Sequence, residues 1–117
     1  MLDRNELIKE LKEICIDYSD IIGLVILFGS YSRDEANEDS DIDLYIEPKD
    51  EKMTTAKLGT NRRYKDFKYT LYSKIPKNFD LLSYGGVKDS KRINSSPLWE
   101  QINKDGVLIY DQRAKAV

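Results

Sequence analysis

Apolar residues recur three and four positions apart in three segments of the chain, which is the spacing of amphipathic helices. The first segment opens on a capping box, in which Asp3 is the cap and Glu6 stands three positions later. Cys15 falls on the apolar stripe of this helix, so we interpret it as a small buried hydrophobic residue and not as a nucleophile. The predicted helices span about 4–18, about 61–74 with Thr60 as its cap, and the stretch from Ser96-Pro97 to a capping Gly106.

Four shorter segments are predicted to be strands. Residues 21–28 are apolar almost throughout and rich in β-branched side chains, which is typical of a central strand that is buried on both faces. Residues 41–47 alternate between polar and apolar side chains, which predicts a strand with one side facing the core and with Pro48 as its stop. The remaining two strands are predicted at 79–84, before Gly85-Gly86, and at 107–110.

The secondary structure of two polar segments cannot be assigned from the sequence pattern. Residues 30–37 fit a turn or a short helix, and residues 49–59 fit a short helix or a loop. The order of the other elements predicts an α/β (α+β) domain, in which helices pack on a small mixed β-sheet. A length of 117 residues suits a single domain, 1–117, with a core of its own.

The amino-acid composition limits the kinds of catalytic and metal site that this chain can form. The chain has no histidine, which excludes histidine-based acid–base and nucleophile systems and the usual zinc sites, and leaves oxygen ligands for any metal. A single cysteine permits no internal disulfide and suits the cytoplasm. Neither a signal peptide nor a membrane-spanning segment is expected. The net charge of −2 gives no general attraction to nucleic acid.

The charges are unevenly distributed along the chain. Residues 34–51 hold nine acidic residues and one basic residue, whereas residues 52–77 hold eight basic residues and one acidic residue. The two runs are either two solvated faces or a cation-binding lobe beside a phosphate-binding lobe.

The chemistry-bearing stretch lies between the first two predicted strands. Gly29 allows a tight turn and close approach to a ligand, and Ser30 offers a hydroxyl and an N–H group. Asp41 and Asp43 stand two apart, so on a strand both carboxylates point to the same face and repel each other unless a cation lies between them. A donor-rich turn beside paired carboxylates is what a metal-bound triphosphate requires.

A third carboxylate extends this site if the strands pair suitably. If the strand that carries Asp80 lies beside the strand of Asp41 and Asp43, three carboxylates meet at one edge of the sheet. Three aspartates are sufficient to hold two divalent cations, which orient an attacking hydroxyl and stabilise a leaving pyrophosphate. Such a reaction asks little of side-chain proton transfer, so it suits a chain without histidine.

Other interpretations of these residues stay open. Asp39-Ser40-Asp41 resembles the start of a calcium loop, but Leu44 stands where the loop needs glycine. Asp41 and Asp43 also fit an exposed edge strand. Ser30 fits a helix cap, and Arg33 fits a phosphate-binding group or a surface ion pair equally well.

The spacing of these residues resembles the signature of the polymerase-β-type nucleotidyltransferase superfamily. Its minimal members, the MNT domains, are similar in two stretches and in a later strand that carries the third carboxylate. One departure is Asp34, because minimal members often have glycine after the arginine of the first motif. The matching segments are 27–33, Asp39 to Leu44, Phe79-Asp80-Leu81-Leu82, and the helix–glycine–strand stretch from Leu98 to Tyr110.

The resemblance implies a nucleotidyltransferase (polymerase-β palm-like) fold and transfer of a nucleoside monophosphate, usually AMP from ATP, to a hydroxyl. Gly29, Ser30 and Arg33 would contact the nucleotide. Asp41 and Asp43 would bind two Mg²⁺ ions, with Mn²⁺ as a substitute, and Asp80 would complete one metal site and help to deprotonate the acceptor.

The resemblance also implies a partner. Minimal members often act as antitoxins paired with a HEPN toxin, which some of them AMPylate on tyrosine, and the acceptor surface would come from that partner or from a second copy of the chain. The alternatives are an antitoxin that neutralises by contact, with a vestigial nucleotide site, and an enzyme that modifies a small molecule such as an antibiotic.

Overall fold

A computed structural model describes residues 3–83 and 97–112, which form eight elements around a mixed four-stranded sheet. The strand order is β3-β2-β1-β4, with β1 antiparallel to both of its neighbours and β2 parallel to β3. The elements are α1 (Arg4–Asp17), β1 (Ile22–Phe28), β2 (Ile42–Pro48), α2 (Thr55–Thr60), α3 (Arg62–Lys74), β3 (Phe79–Ser83), α4 (Pro97–Asp105) and β4 (Val107–Asp111).

Helices cover both faces of the sheet. The larger cluster joins the apolar faces of α1 and α3 to one face, where Ile42 and Leu44 of β2 are fully buried. A second cluster lies on the other face, where Trp99 and Ile102 of α4 pack around Tyr45 and against partly buried side chains of β1. The burial of β1 on both faces follows from these two layers, as its apolar sequence predicts.

The side of β2 that was predicted to be polar is in part buried. Tyr45 is completely inaccessible, and Glu47 is 7% exposed and accepts a hydrogen bond from the Tyr45 hydroxyl. The Tyr45 ring packs edge-to-face against Trp99, with the two ring centres 5.2 Å apart. The alternating pattern of residues 41–47 identified the strand, but it did not show that α4 covers the second face.

The helix starts follow local capping chemistry. The Asp3 side chain accepts a hydrogen bond from the Glu6 N–H (3.3 Å), as the capping box predicts. Asn61, and not Thr60, caps α3 by accepting from the Tyr64 N–H (3.1 Å), because Thr60 is the last residue of α2. Residues 49–59, for which the sequence allowed a short helix or a loop, contain most of the helix α2.

Several boundaries differ from the sequence prediction. Residues 30–37 contain turns and no helix, and Pro48 belongs to β2, where it pairs with Ile22 beside an irregularity in β1. The Gly106 N–H donates to the Ile102 carbonyl (2.8 Å), which confirms the predicted cap of α4. The predictions for Tyr84, Gly85-Gly86 and Ser96 lie outside the described residues.

Cys15 is fully buried on α1, and burial raises the pKa of its thiol to about 12. A thiol with this pKa is protonated at neutral pH, which agrees with the interpretation of Cys15 as a core residue. In the part of the chain that the structure describes, no helix is long and apolar enough to cross a membrane.

Candidate active site at the Gly29 turn and the carboxylates of β2 and β3

The turn that follows β1, residues 29–35 and here named the Gly29 turn, is held by hydrogen bonds to the carbonyl of Gly29. That oxygen accepts from the N–H groups of Ser32 (3.1 Å) and Arg33 (3.3 Å) and from the Ser32 hydroxyl (2.7 Å). Gly29 has φ +76°, which a residue with a Cβ rarely adopts. Glycine therefore allows the chain to reverse its direction immediately after a buried strand.

Asp34 is the second left-handed residue of this turn, with φ 57°. It stands at the position where minimal nucleotidyltransferases often have glycine, and the backbone conformation supplies the physical reason for that preference. Aspartate tolerates this region better than most residues, at a modest cost in conformational energy. Asp34 therefore adopts a backbone conformation that glycine would adopt without strain.

The Gly29 turn lies directly against the carboxylate of Asp43. A Cβ on Gly29 would overlap an Asp43 carboxylate oxygen and lie 3.0 Å from the Asp43 Cγ. Asp43 pairs with Phe28, the last residue of β1, which explains how the turn and the acid come together. The absence of a side chain at position 29 thus leaves room for the carboxylate as well as for the turn.

The pairing of β2 and β3 brings the third carboxylate to the same edge. Asp43 and Asp80 are partners in the register of these parallel strands, and Asp41 lies one residue before β2. Asp41 and Asp80 are exposed, whereas Asp43 is partly buried between its neighbours. The structure therefore confirms the strand pairing on which the three-carboxylate hypothesis depends.

Asp43 is electrostatically unusual. Its pKa is raised from 3.8 to about 6, first by burial and then by the negative charges of Asp80 and Asp41, while the nearby Arg33 lowers it. The dependence on both neighbours shows that the three carboxylates are close enough to interact. An ionised Asp43 is therefore costly in the metal-free protein.

Arg33 lies at the edge of this cluster. Its guanidinium forms ion pairs with Glu35, in the same turn (3.0 Å), and more loosely with Asp105 at the end of α4 (4.0 Å). Its charge also acts on Asp43. Arg33 is thus a surface pairing partner that stands close to the site, and its role in phosphate binding stays a prediction.

The donor set suits a hard divalent cation. Carboxylate oxygens are the ligands that Mg²⁺ prefers. Burial and then the charges of Asp80 and Asp41 raise the pKa of Asp43, and a positive charge between the acids would relieve their repulsion. Within residues 3–83 and 97–112, however, no three acidic or thiol side chains form a preformed metal-ligand cluster. Metal binding by Asp41, Asp43 and Asp80 stays a prediction.

The calcium-loop interpretation is wrong. A calcium loop that begins at Asp39 would extend over residues that here form β2, a regular strand from Ile42 to Pro48 that is paired on both sides. An extended strand cannot wrap its oxygen ligands around one ion.

An open groove with a volume of about 530 Å³ lies beside Asp41, on the β3 side of β2. Across the groove, the Lys77 ammonium donates a hydrogen bond to the Glu38 carbonyl (2.6 Å). Tyr72, which also lines the groove, packs edge-to-face on Phe79 with ring centres 5.5 Å apart. The groove is lined by Glu38, Asp39, Ser40, Asp41, Tyr72, Pro76, Lys77 and Asn78.

Two members of the basic run make structural contacts. Arg63 binds both carboxylate oxygens of Asp20 (2.8 and 3.0 Å) and lies over the Tyr18 ring, which fastens α3 to the end of α1. Lys77 lines the groove, and its ammonium binds a backbone carbonyl there. These two side chains have structural roles away from the Gly29 turn.

Two residues near the site were missed by reasoning from sequence. Arg4 is a charged residue at the start of an amphipathic helix, which by itself indicates a solvated side chain, but its guanidinium binds the carbonyls of Tyr31 and Ser32 in the Gly29 turn. Asp105 closes α4 beside Arg33. The sequence around each of these two residues does not indicate a role at the site, because each reaches it only through the packing of elements that are distant along the chain.

Tyr31 carries a buried hydroxyl that has no hydrogen-bond partner among the described residues, and its side chain is 2% exposed. We expect Tyr31→Phe to raise the free energy of unfolding by about 0.5–1 kcal/mol, because an unsatisfied buried polar group is removed. Urea unfolding measures the change. In the matched variant Tyr45→Phe, Glu47 loses a hydrogen-bond donor, so stability should fall; a loss with Tyr31→Phe would contradict the expectation.

Several solved structures share this fold. A toxin–antitoxin complex with AMP-PNP contains a chain that is 22% identical (TM-score 0.57), with 97% of this chain and 77% of the other covered. A mutant MntA–HpeT toxin–antitoxin structure contains a chain that is 20% identical (TM-score 0.55), with 97% of this chain and 77% of the other covered. The structure of a tri-AMPylated Shewanella oneidensis HEPN toxin in complex with an MNT antitoxin contains a chain that is 18% identical (TM-score 0.55), with 96% of this chain and 76% of the other covered. These likenesses establish the fold.

The sequence also matches a family model directly, whereas no curated protein matches the chain. The matching model is described as polymerase beta, nucleotidyltransferase, and the match runs over residues 9–115. This range includes the Gly29 turn, Asp41, Asp43 and Asp80. The protein therefore belongs to the polymerase β nucleotidyltransferase family.

Proposed function

We propose that this protein is a Mg²⁺-dependent nucleotidyltransferase that transfers AMP from ATP to a hydroxyl group, a tyrosine of a HEPN-type toxin, and acts as that toxin's antitoxin. The observation that carries the proposal is the contact between the Gly29 turn and Asp43, which is itself in register with Asp80. The turn and the carboxylates of Asp43 and Asp80 therefore lie within one small region, which supports the proposal.

We infer the roles of the individual residues from where they lie in the site. Gly29 and Ser30 would contact the triphosphate through the turn, and Arg33 would add a positive charge at its edge. Asp41, Asp43 and Asp80 would hold two divalent cations. When bound, the cations would neutralise the charge of the triphosphate and of the leaving pyrophosphate.

The acceptor would approach from the other side. In the sheet, β1 and β3 lie on opposite sides of β2, so the Gly29 turn and the groove flank the carboxylates. In-line displacement needs the nucleophile opposite the leaving group. The acceptor oxygen would bond to the α-phosphorus, the bond to the β-phosphate oxygen would break, and the hydroxyl proton would pass to Asp80.

The partner is proposed from analogy with the structural neighbours. The structures that share the fold include a toxin–antitoxin complex with AMP-PNP and a tri-AMPylated HEPN toxin bound to an MNT antitoxin. Membership of the nucleotidyltransferase family supports the reaction class in this chain. The nucleotide, the metal and the acceptor are our proposals.

The test is transfer of labelled AMP from ATP to the product of an adjacent HEPN-type gene in the presence of Mg²⁺. We expect labelled toxin, no label with EDTA, and loss of label with Asp43→Asn. Mass spectrometry of tryptic peptides would locate the modified hydroxyl. Equal labelling by the wild type and Asp43→Asn would contradict the proposal.

A contact-only antitoxin is the second candidate, and the lack of a preformed metal-ligand cluster in 3–83 and 97–112 favours it. It predicts that Asp43→Asn still rescues growth of cells that express the toxin. Under the enzymatic proposal, the variant binds the toxin but no longer rescues growth. Co-purification of toxin and variant separates the two outcomes from a loss of folding.

A further inference from the structure

Arg4, the first residue of α1, reaches across to the Gly29 turn. Its Nε donates to the Tyr31 carbonyl (3.1 Å) and its Nη2 donates to the Ser32 carbonyl (3.2 Å), both in a partly buried setting. Two successive carbonyls are therefore held by one planar guanidinium, whose fixed fork geometry suits such a pair.

The turn needs such support. Two of its residues, Gly29 and Asp34, are in the left-handed region, and Asp34 bears a conformational cost there. The hydrogen bonds within the turn use the N–H groups of Ser32, Arg33, Asp34 and Glu35. The carbonyls of Gly29, Ser30 and Tyr31 accept these bonds. Arg4 adds two bonds from outside the turn, and one of them engages the Ser32 carbonyl.

The contacts of Arg4 also matter for an anionic ligand. A carbonyl oxygen carries partial negative charge and repels a phosphate. The Arg4 guanidinium binds the carbonyl oxygens of Tyr31 and Ser32, so it offsets part of that charge. The positive charge of Arg4 beside the turn also favours the binding of an anion there.

We propose that Arg4 is a positioning residue for nucleotide binding, which holds the Gly29 turn in its ligand-ready conformation before ATP arrives. The proposal rests on the proposed function, in which this turn contacts the triphosphate. A preorganised site binds more tightly because less order is imposed at the moment of binding. Arg4 itself touches no reacting atom.

The test compares Arg4→Lys with a matched control, Arg63→Lys. Arg63 also joins distant elements and donates to a backbone carbonyl, that of Asp17 (3.2 Å), but it lies away from the turn. We expect Arg4→Lys to weaken Mg-ATP binding about tenfold by titration calorimetry, because an ammonium cannot reproduce the fork. Arg63→Lys should bind as the wild type does, with a similar small change in melting temperature.

A second variant separates positioning from general stability. Glycine adopts the conformation of Asp34 without strain, so Asp34→Gly in the Arg4→Lys background should recover part of the lost affinity. Amide hydrogen exchange at residues 30–35 should be faster in Arg4→Lys than in Arg63→Lys, without nucleotide. A merely structural role would not confine the change to this turn.

The outcomes are distinct. If the wild type binds ATP and Arg4→Lys binds it within a factor of about two, the role of Arg4 is wrong and the proposed function stands. The role of Arg4 is equally wrong if Arg4→Lys loses affinity only in proportion to a global loss of folding, seen as exchange that rises throughout the chain. If the wild type does not bind ATP, the proposed function fails as well.

Discussion

Asp43→Asn is expected to remove nucleotide transfer and, in the metal-free protein, to raise the free energy of unfolding at neutral pH. We expect transfer to fall by at least about 100-fold, since a neutral amide is a poor ligand for Mg²⁺. The stability gain follows from the raised pKa of Asp43, which burial and the charges of Asp80 and Asp41 bring to about 6. A residue retained at a cost in stability is characteristic of a functional site.

The pH dependence has a definite sign. The folded protein holds the Asp43 proton more tightly than the unfolded chain does, so its contribution to stability is fully present below pH 3.8 and is lost as the pH rises through about 6. Because Asp43 is only partly buried, we expect the variant to gain about 1–2 kcal/mol at pH 8, less than a shift of this size gives in full. At pH 4 only a small part of the gain should remain, because Asp43 is then almost fully protonated in the folded protein.

Urea unfolding at the two pH values, in EDTA, measures this effect. Asp66→Asn is the control, since Asp66 is exposed on α3 and away from the carboxylate cluster. It should change stability little at either pH. A stability gain for Asp43→Asn that is equal at pH 4 and pH 8 would show that removal of charge is not its cause.

Gly29→Ala is expected to be the most disruptive substitution in the turn. Its Cβ would overlap the Asp43 carboxylate, and φ +76° is strained for alanine. We expect a loss of about 1–3 kcal/mol of stability and loss of ATP binding, because either the turn or Asp43 must move.

Gly59→Ala is the matched control. Gly59 lies in α2 with no atom within 4 Å of an added Cβ, so alanine should be neutral or should stabilise the protein by up to about 1 kcal/mol. Thermal unfolding and ATP titration of both variants give the comparison. If Gly29→Ala bound ATP as the wild type does, the contact between the turn and Asp43 would not matter for binding.

The parts of the site that the sequence predicted are those encoded by neighbours in the chain. The left-handed turn after β1 follows from glycine at its start, and the side-by-side acids follow from the period of two along β2. Helix caps such as Asp3 are recognisable for the same reason. The predicted cap of α3 at Thr60 was wrong by one residue, because α2 extends to Thr60 and Asn61 caps α3.

The missed features depend on packing between distant segments. The alternation along β2 could not show that Trp99 covers Tyr45 and Glu47, because that face becomes buried only when α4 crosses it. The outer side of α1 gave no sign that Arg4 differs from the lysines around it. A polar side chain on a helix is taken to be solvated until the element opposite is known.

The sequence by itself determined α1, α3, α4, the four strands and the presence of acids at 41, 43 and 80, because local periodicity and backbone chemistry specify them. It left α2 and the conformation of residues 30–37 open. Only the tertiary structure decided that Asp43 and Asp80 are in register, that Asp43 lies against Gly29, and that Arg4 binds the turn. Strand order and crossovers set these contacts, and they leave no trace in the spacing of residues along the chain.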